Sequence, residues 1–576
     1  MPSPFEFRFG PRLLGSDRTL FRLWAPAAEE VRLQVDGMPA QIMSSCGNGW
    51  REAQAECGAG ARYRFYIGDA AVPDPASRMQ AGDVHDASVV VDPDEYDWRC
   101  RNWKGLPWEE TAIYELHPGL LGGFSGIQQH LMRVADLGVT AIELMPIADF
   151  PDARNWGYDG VLPFAPDRAY GTPDELKALI DAAHGRGLMV FLDVVYNHFG
   201  PDGNYLSLYA PQFFDNSKNT PWGAAIDFGE REVRRFFLEN ALYWLLEFRF
   251  DGLRFDAVHA IGDNRFLRDL ARQIRAQLPA DRHVHLIVEN DNNDAELLHS
   301  GFDAQWNDDL HHVLHVLLTG ETQGYYEDYA QEPARKLARA LTDGFIYQGE
   351  PSPFRSGHAR GSCTNGLKPS AFISFLQNHD QIGNRAFGER LTVLTEPRKL
   401  EAAIALLLLS PQIPLLFMGE EAGAREPFLY FTDYRDRELA QAVRDGRRQE
   451  FAKFPEFADA QKRSTIPDPN AAKTFERSRP ALGDNERRTL YTQLLRLRRE
   501  RLMSRLKGIC AEGARALGPA AVLAKWRFDD GARLLVACNV GDEAVAADLP
   551  AAQPIWGEKP KDALPAATTL AWIVSP

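Results

Sequence analysis

Eight short apolar runs, separated by stretches with helical spacing, constrain this chain more than any other feature. They read AIYELH (112–117), AIELMPI (141–147), LMVFLDVVYNH (188–198), GLRFDAVH (252–259), HLIVEN (285–290), FDAQWND (302–308), AFISFLQNHD (371–380) and IPLLFMGEE (413–421). Near-continuous apolar runs of this length suit strands covered on both faces, and their alternation with helices predicts βα units around a parallel sheet. Eight such strands close a (β/α)8 barrel, so the fold class is α/β. A doubly wound open sheet would need a Gly-rich phosphate loop after an early strand, and none is present. One helix start is explicit: Thr172, Pro173 and Glu175 supply an N-cap, a proline at the first helical position and the Glu of a capping box, with an end near Gly185 and Gly187.

The flanks have a different texture. From Phe5 to about Asp97, alternating runs such as TLFRLWAP, VRLQVDG and ARYRFYIGD between Gly, Pro and Asp predict an antiparallel β-sandwich, joined by the Trp-bearing segment Trp98 to Trp108. After the eighth run come a polar and aromatic insertion (423–486), a helix near 487–503, and VLAKWRF, ARLLVACNV and TLAWIV as a second antiparallel module. The expected organisation is an N-terminal β-domain over 1–100, a catalytic barrel with insertions over 101–505 and a C-terminal β-domain over 506–576. A formal net charge of -16 without a basic tract argues against nucleic acid as a partner and favours a neutral or polar one. Six scattered cysteines (Cys46, Cys57, Cys100, Cys363, Cys510, Cys538) show no CxxC spacing, the first twenty residues have no secretion-signal core, and the most apolar run, Ala402 to Met418, is broken by two prolines. A soluble cytoplasmic protein without a membrane contact is the expectation.

Polar residues collect at the far ends of the eight runs: His117, Asp193, Asn197, His198, Arg254, Asp256, Glu289, Asp308, His379, Asp380, Glu420 and Glu421. In a parallel barrel these ends open on one face, where such barrels do their chemistry. Within DGLRFDAVH, Arg254 and Asp256 project from one side of a strand, which alone reads as a structural ion pair. Asp256, Glu289 and Asp380, brought to one crevice, cannot all ionise freely, and the resulting spread of pKa values provides an acid and a base. Glycoside hydrolysis uses such a set, with a carboxylate nucleophile and a protonated carboxyl about 5 Å apart for retention. Arg254 would keep Asp256 ionised; Glu289, without a cation beside it in sequence, is the better proton donor.

Aromatic loop residues offer faces for sugar rings: Trp156, Tyr158, Tyr205, Phe213, Phe214, Trp222, Trp306 and Tyr325. Packing of the loops onto the barrel accounts for many of these equally well. His311 and His315 have the spacing of a helical zinc pair, with His312 beside them, but lack the HExxH glutamate, and Asp202, Asp215 and Asp227 lack a spaced calcium loop, so no metal is expected.

The segments DVVYNH (193–198), GLRFDAVH (252–259), VEND (288–291) and LQNHDQIGNR (376–385) resemble the four signature regions of the α-amylase superfamily, glycoside hydrolase family 13. The resemblance implies Asp256 as nucleophile, Glu289 as general acid/base and Asp380 as the carboxylate that binds sugar hydroxyls in the transition state. It implies Tyr158, His198, Arg254 and His379 around the reacting glucose, with Trp156, His259, Asn384 and Arg385 as further substrate-binding candidates. Asp193 and Asn197 are implied as supports of Arg254 and the neighbouring loop. Over nearly its full length, through WAP, ELMPIADF, NWGYDGVLPFAP, PLLFMGEE, PFLYFTDY and IPDPNAAKTFERS, the chain is similar to the trehalose-releasing hydrolases of that superfamily. They cleave the α-1,4 bond between a maltooligosaccharide and a terminal trehalose, use no cofactor, and act after a synthase that builds maltooligosyltrehalose. Branching and debranching enzymes are the rivals, but the acidic residues that branching enzymes carry after the second and third catalytic positions are Asn290 and Gln381 here. From another class, a non-catalytic α-glucan-binding protein is the alternative. HPGLLGGFSGI (117–127) is shorter than the usual segment after the first strand, which bears on outer subsites and not on the triad.

Overall fold

A computed structural model describes residues 5–220, 223–559 and 561–575. Its centre is a closed parallel barrel of β1 (Ile113–Leu116), β2 (Ala141–Leu144), β3 (Met189–Val194), β4 (Gly252–Phe255), β5 (His285–Val288), β6 (Ala304–Trp306), β7 (Phe372–Ser374) and β8 (Ile413–Phe417), with β8 returning to pair with β1. All eight lie within the predicted runs, and the open-sheet alternative is excluded by closure. Each strand is shorter than its run; Asp193 and Arg254 lie within β3 and β4, while Asp256 sits one residue past β4 and Asp380 well past β7.

Inward-pointing Ile113, Ala141, Met189, Phe191, Ile287 and Leu415 fill the barrel as a buried apolar layer. Trp103, Leu106 and Trp108 of the linker pack against that layer. The Trp103 indole stacks on His184 and its Nε1 donates to Asp251 Oδ1 at 2.9 Å, while Trp108 Nε1 donates to Ser370 O at 2.7 Å. The sequence placed this segment as a linker; it also closes the bottom of the barrel. The expected capping box is present: Thr172 Oγ1 accepts from Glu175 N at 3.2 Å and Glu175 Oε2 from Thr172 N at 2.8 Å, opening the helix Pro173–His184.

Before the barrel, two antiparallel sheets bury Phe21, Trp50, Tyr63 and Phe65. After it, an antiparallel sheet of Cys510–Gly518, Ala521–Arg527, Arg533–Asn539 and Thr568–Val574 rests on the helix Pro397–Leu409, where Thr569 Oγ1 donates to Ala402 O at 2.7 Å. The insertion carries the helix Arg437–Glu450, which has no buried residue. Among the described residues the cysteines are unpaired and no helix is long and apolar enough to cross a membrane.

The N-terminal module is tied to the barrel by buried polar and cationic contacts. Glu239, on the helix Arg231–Leu246, accepts the backbone N–H groups of Arg8 at 2.8 Å and Phe9 at 2.9 Å, and the Arg78 guanidinium lies 4.2 Å above the Tyr243 ring. Glu239→Ala would leave two backbone donors unpaired at about 1–3 kcal/mol each. The expected outcome is a lower thermal midpoint and faster proteolytic loss of the N-terminal segment, read by calorimetry and limited trypsin digestion; an unchanged digestion pattern would contradict the tie.

Candidate active site

The register of the barrel assembles the site. Asp193 and Arg254 are direct partners on β3 and β4, so both side chains enter the interior at one level. Arg254, with no exposed surface, puts Nη1 at 2.6 Å from Asp193 Oδ2 and 2.7 Å from Asp256 Oδ1, and Nη2 at 3.8 Å from Glu289 Oε2. The guanidinium lies 4.1 Å above the Trp306 ring, which supplies an apolar floor and a cation–π contact. Glu289 is not remote from a cation, as its sequence neighbours suggested: Arg254 reaches it across the barrel from the adjacent strand.

The three expected catalytic carboxylates border one crevice of about 620 Å³. Asp256 and Glu289 keep 14% of their side-chain surface exposed and Asp380 39%, against a nearly dry support beneath them. Glu289 also accepts the Ala257 N–H at 2.6 Å, which ties the loop after β4 to the end of β5. Burial pushes the Glu289 carboxyl well above its ordinary value, opposed by Arg254 and reinforced by Asp256, Asp308 and Asp380. Burial also raises Asp193, to about 6 against the pull of Arg254, and Asp308, to about 7 with Asp291 and Asp380 nearby. The crevice therefore holds a carboxyl prepared to carry a proton beside one that an arginine pairs directly.

Tyr158 comes from the β2 loop, where the hairpin of Ala148–Asp149 with Leu162–Pro166 carries it over the barrel. Its hydroxyl donates to Asp193 Oδ2 at 2.6 Å and meets His379 Nε2 at 2.8 Å, and its ring stacks on that imidazole. His198 and His259 border the same crevice, and burial lowers both imidazoles below their ordinary value. Asn384 sits exposed at the crevice edge.

Asp193 holds Arg254, whereas Asn197 holds the loop after β4 and Asp256 itself: its Nδ2 donates to Asp256 Oδ2 at 2.9 Å and to the Asp256 carbonyl at 3.1 Å. Other expectations need correction. Trp156 borders the same crevice but is only 5% exposed: it stacks on Phe428, donates Nε1 to Leu429 O and meets His379 edge-on. Arg385 turns away from the triad to a bidentate pair with Glu321, at 2.7 and 3.0 Å, beside a separate cavity of about 950 Å³. His117 is fully buried and bonds to Asn155 O, bracing the β2 loop; Glu420 and Glu421 bond to Tyr491 and Tyr114 and do not reach the crevice. Among the aromatics, Phe213 is core, Tyr205 bonds to His85, Tyr325 lines the outer cavity and Trp222 lies outside the described residues. His311 bonds to Leu376 O and Tyr326, and His315 to Glu321; Asp215 accepts from Ser217, Asp227 from Gly229 and Asp202 pairs with His85, so neither set converges on a common point.

Three features escaped sequence reasoning. Glu115 and Glu143 lie inside apolar runs, and a charge in the middle of a barrel strand was the available signal. The loop carrying Phe354 and Arg355 borders the crevice beyond Glu289; Arg355 Nη2 reaches Asp291 Oδ2 at 2.5 Å, and Phe354 stands 49% exposed beside Tyr325. No local pattern marks that loop.

Comparison with known proteins identifies the family. The model of the alpha amylase catalytic domain matches residues 91–223, and that of a domain of unknown function, DUF3459, matches residues 511–572. The malto-oligosyltrehalose trehalohydrolase of Saccharolobus solfataricus is 42% identical over 454 residues, covering 76% of this chain and 79% of the relative. The protein of the same name from Deinococcus radiodurans is 40% identical over 520 residues, covering 87% and 85%. A crystal structure of a Salmonella typhimurium protein superposes with a TM-score of 0.93 at 42% identity over 99% of this chain and 100% of that one. With the closed barrel and a C-terminal β-sheet in place, the chain belongs to the malto-oligosyltrehalose trehalohydrolase family, a branch of the α-amylase family.

Proposed function

We propose that this chain hydrolyses, with retention, the α-1,4-glucosidic bond next to the terminal trehalose of a maltooligosyltrehalose, releasing trehalose and a maltooligosaccharide. The observation that carries the reading is one buried guanidinium, Arg254, holding Asp256 at 2.7 Å and facing Glu289 at 3.8 Å at the open ends of β4 and β5. Relatives at 40–42% identity that are named for this activity give it its substrate.

In this reading Asp256 attacks the anomeric carbon while Glu289 protonates the glycosidic oxygen. The C1–O bond breaks, trehalose leaves with the proton, and the sugar stays as an ester on Asp256. Glu289, now ionised, takes a proton from water, the water oxygen attacks C1, and Asp256 is freed with the configuration restored. Arg254 keeps Asp256 ionised, and Asp380, with Tyr158, His198 and His379, holds hydroxyls of the reacting glucose. The steps need no cofactor. A terminal trehalose is absent from ordinary α-glucan, so a synthase that builds this end must act first, and the cytoplasm, where glucan is stored, is the proposed location.

Product analysis on maltooligosyltrehalose and on amylose tests the reading. Trehalose release is expected from wild type, with Asp256→Ala and Glu289→Gln folded and slower by several orders of magnitude. New α-1,6 branches without free trehalose would instead identify a branching enzyme, and unaltered turnover in either variant would refute the site.

The pH profile follows from Glu289. The acid must be protonated in the free enzyme, and its carboxyl is raised above the ordinary value of 4.5. Activity is therefore expected to persist above pH 4.5 and to fall as pH rises through the raised value, read as the alkaline limb of kcat/KM. The same shift lowers folding stability over that interval, because the folded state binds the proton more tightly than the unfolded one. An alkaline limb at the ordinary carboxylate value would contradict the assignment.

A further inference from the structure

Below the triad the barrel holds two carboxyls that the reaction does not consume. Glu115 of β1 and Glu143 of β2 are register partners, each 1% exposed. Glu115 Oε1 lies 2.5 Å from His379 Nδ1, and its Oε2 accepts the His379 backbone N–H at 3.3 Å. The other ring nitrogen, Nε2, is 2.8 Å from the Tyr158 oxygen and 3.5 Å from Asp380 Oδ1. Tyr158 has one proton, and its 2.6 Å bond to Asp193, itself ion-paired with Arg254, uses it. The Tyr158 oxygen is thus left to accept from His379. Both ring nitrogens face acceptors, and an imidazole serves two acceptors only when both nitrogens carry hydrogen.

We propose that Glu115 is the positioning residue that holds His379 as a doubly protonated imidazolium, a fixed cation facing Asp380 and the sugar hydroxyls at the reacting position. The proposal rests on the reading of this crevice as the hydrolytic site. In this arrangement Glu115 fixes the ring by two bonds, through the side chain and through the backbone, so orientation and charge are set together. His379 then balances Asp380 while Arg254 balances Asp193 and Asp256.

The surrounding groups are consistent with this assignment. Facing the pair are His117 just past β1, Glu143 on β2 and Tyr158 on its loop, Asp193 on β3, Arg254 on β4 and Asp380 beyond β7; Trp306 of β6 and Phe417 of β8 add no titratable group. Burial lowers His117 to about 4, so that ring is neutral at pH 7. Glu143 has no hydrogen-bond partner for either oxygen, and burial, with Glu115 and Asp193 beside it, raises it well above the carboxylate range. Of the two carboxyls, Glu115 is the one with hydrogen-bond partners, both of them on His379. Burial alone would lower His379, but Asp380 and Glu115 outweigh it and raise the imidazole to about 9.

The test uses the full chain labelled with ¹³Cε1-histidine, the His379 signal being assigned by its loss in His379→Gln. In wild type that carbon is expected to report imidazolium through neutral pH, with a midpoint near 9. Glu115→Gln removes the charge at nearly constant shape and should lower the midpoint by more than one unit, with kcat for trehalose release at pH 7 falling roughly tenfold or more and KM moving less. Glu115→Asp, which keeps the charge, should recover part of both. A wild-type midpoint near the ordinary 6.5, or an unmoved midpoint in Glu115→Gln, overturns the proposal, and the wild-type titration decides it even where the variant does not fold. A wild type that releases no trehalose yet shows the high midpoint and its shift would sink the functional reading alone.

Discussion

The contact on which the rest of the structure depends is the guanidinium of Arg254 between Asp193 and Asp256. A cation with no exposed surface is stable only where anions compensate the lost hydration, and here two carboxylates within 2.7 Å do so. The dependence is mutual. Without the arginine, burial would raise Asp193 and Glu289 further, and Asp256 would lose its direct cationic partner. A lysine would not replace it, because the planar fork reaches separate carboxylates from separate nitrogens while its face rests on Trp306.

The barrel turns this local balance into a division of labour. Along one segment, Asp251 lies before β4 and Asp256 after it. Asp251 accepts from Trp103, His184 and the Val190 N–H, fully enclosed, and holds the linker to the bottom of the barrel. Asp256, five positions on, emerges into the crevice beside Glu289. The same side-chain type is thus enclosed at one end of the strand and opens into the crevice at the other, the polarity that parallel barrels use to separate stability from chemistry. Along the crevice the carboxyls diverge by environment: Glu289 is desolvated and raised, Asp308 stands near 7, and Asp256 has Arg254 and Asn197 as direct partners.

Much of this was legible in the sequence, for definite reasons. The eight runs revealed the strands because a doubly covered strand must be apolar along its length, and the capping box at Thr172 and Glu175 is a local code that needs no tertiary partner. Asp256, Glu289 and Asp380 could be grouped because strand ends of a parallel barrel share a face. What escaped depends on distance across the fold. Nothing near Glu289 in sequence announces Arg254, and Glu115 meets His379 only because barrel closure brings β1 and the β7 loop together. Trp156 and Arg385 stand in motifs that suggest sugar contact, yet Phe428 and Glu321, remote in the chain, claim them.

The central claim is that Asp256, held ionised by Arg254, forms the bond to the sugar. Trapping the intermediate tests it most directly. Glu289→Gln, incubated with a maltooligosyl fluoride whose fluoride departs without an acid, should accumulate an ester because the second step lacks its base. Mass spectrometry of the digested protein is expected to find the glycosyl mass on the peptide bearing Asp256, and to lose it in Asp256→Asn. A label on Asp380, Asp308 or Glu143, or turnover with inverted anomeric configuration and no adduct, would contradict the account.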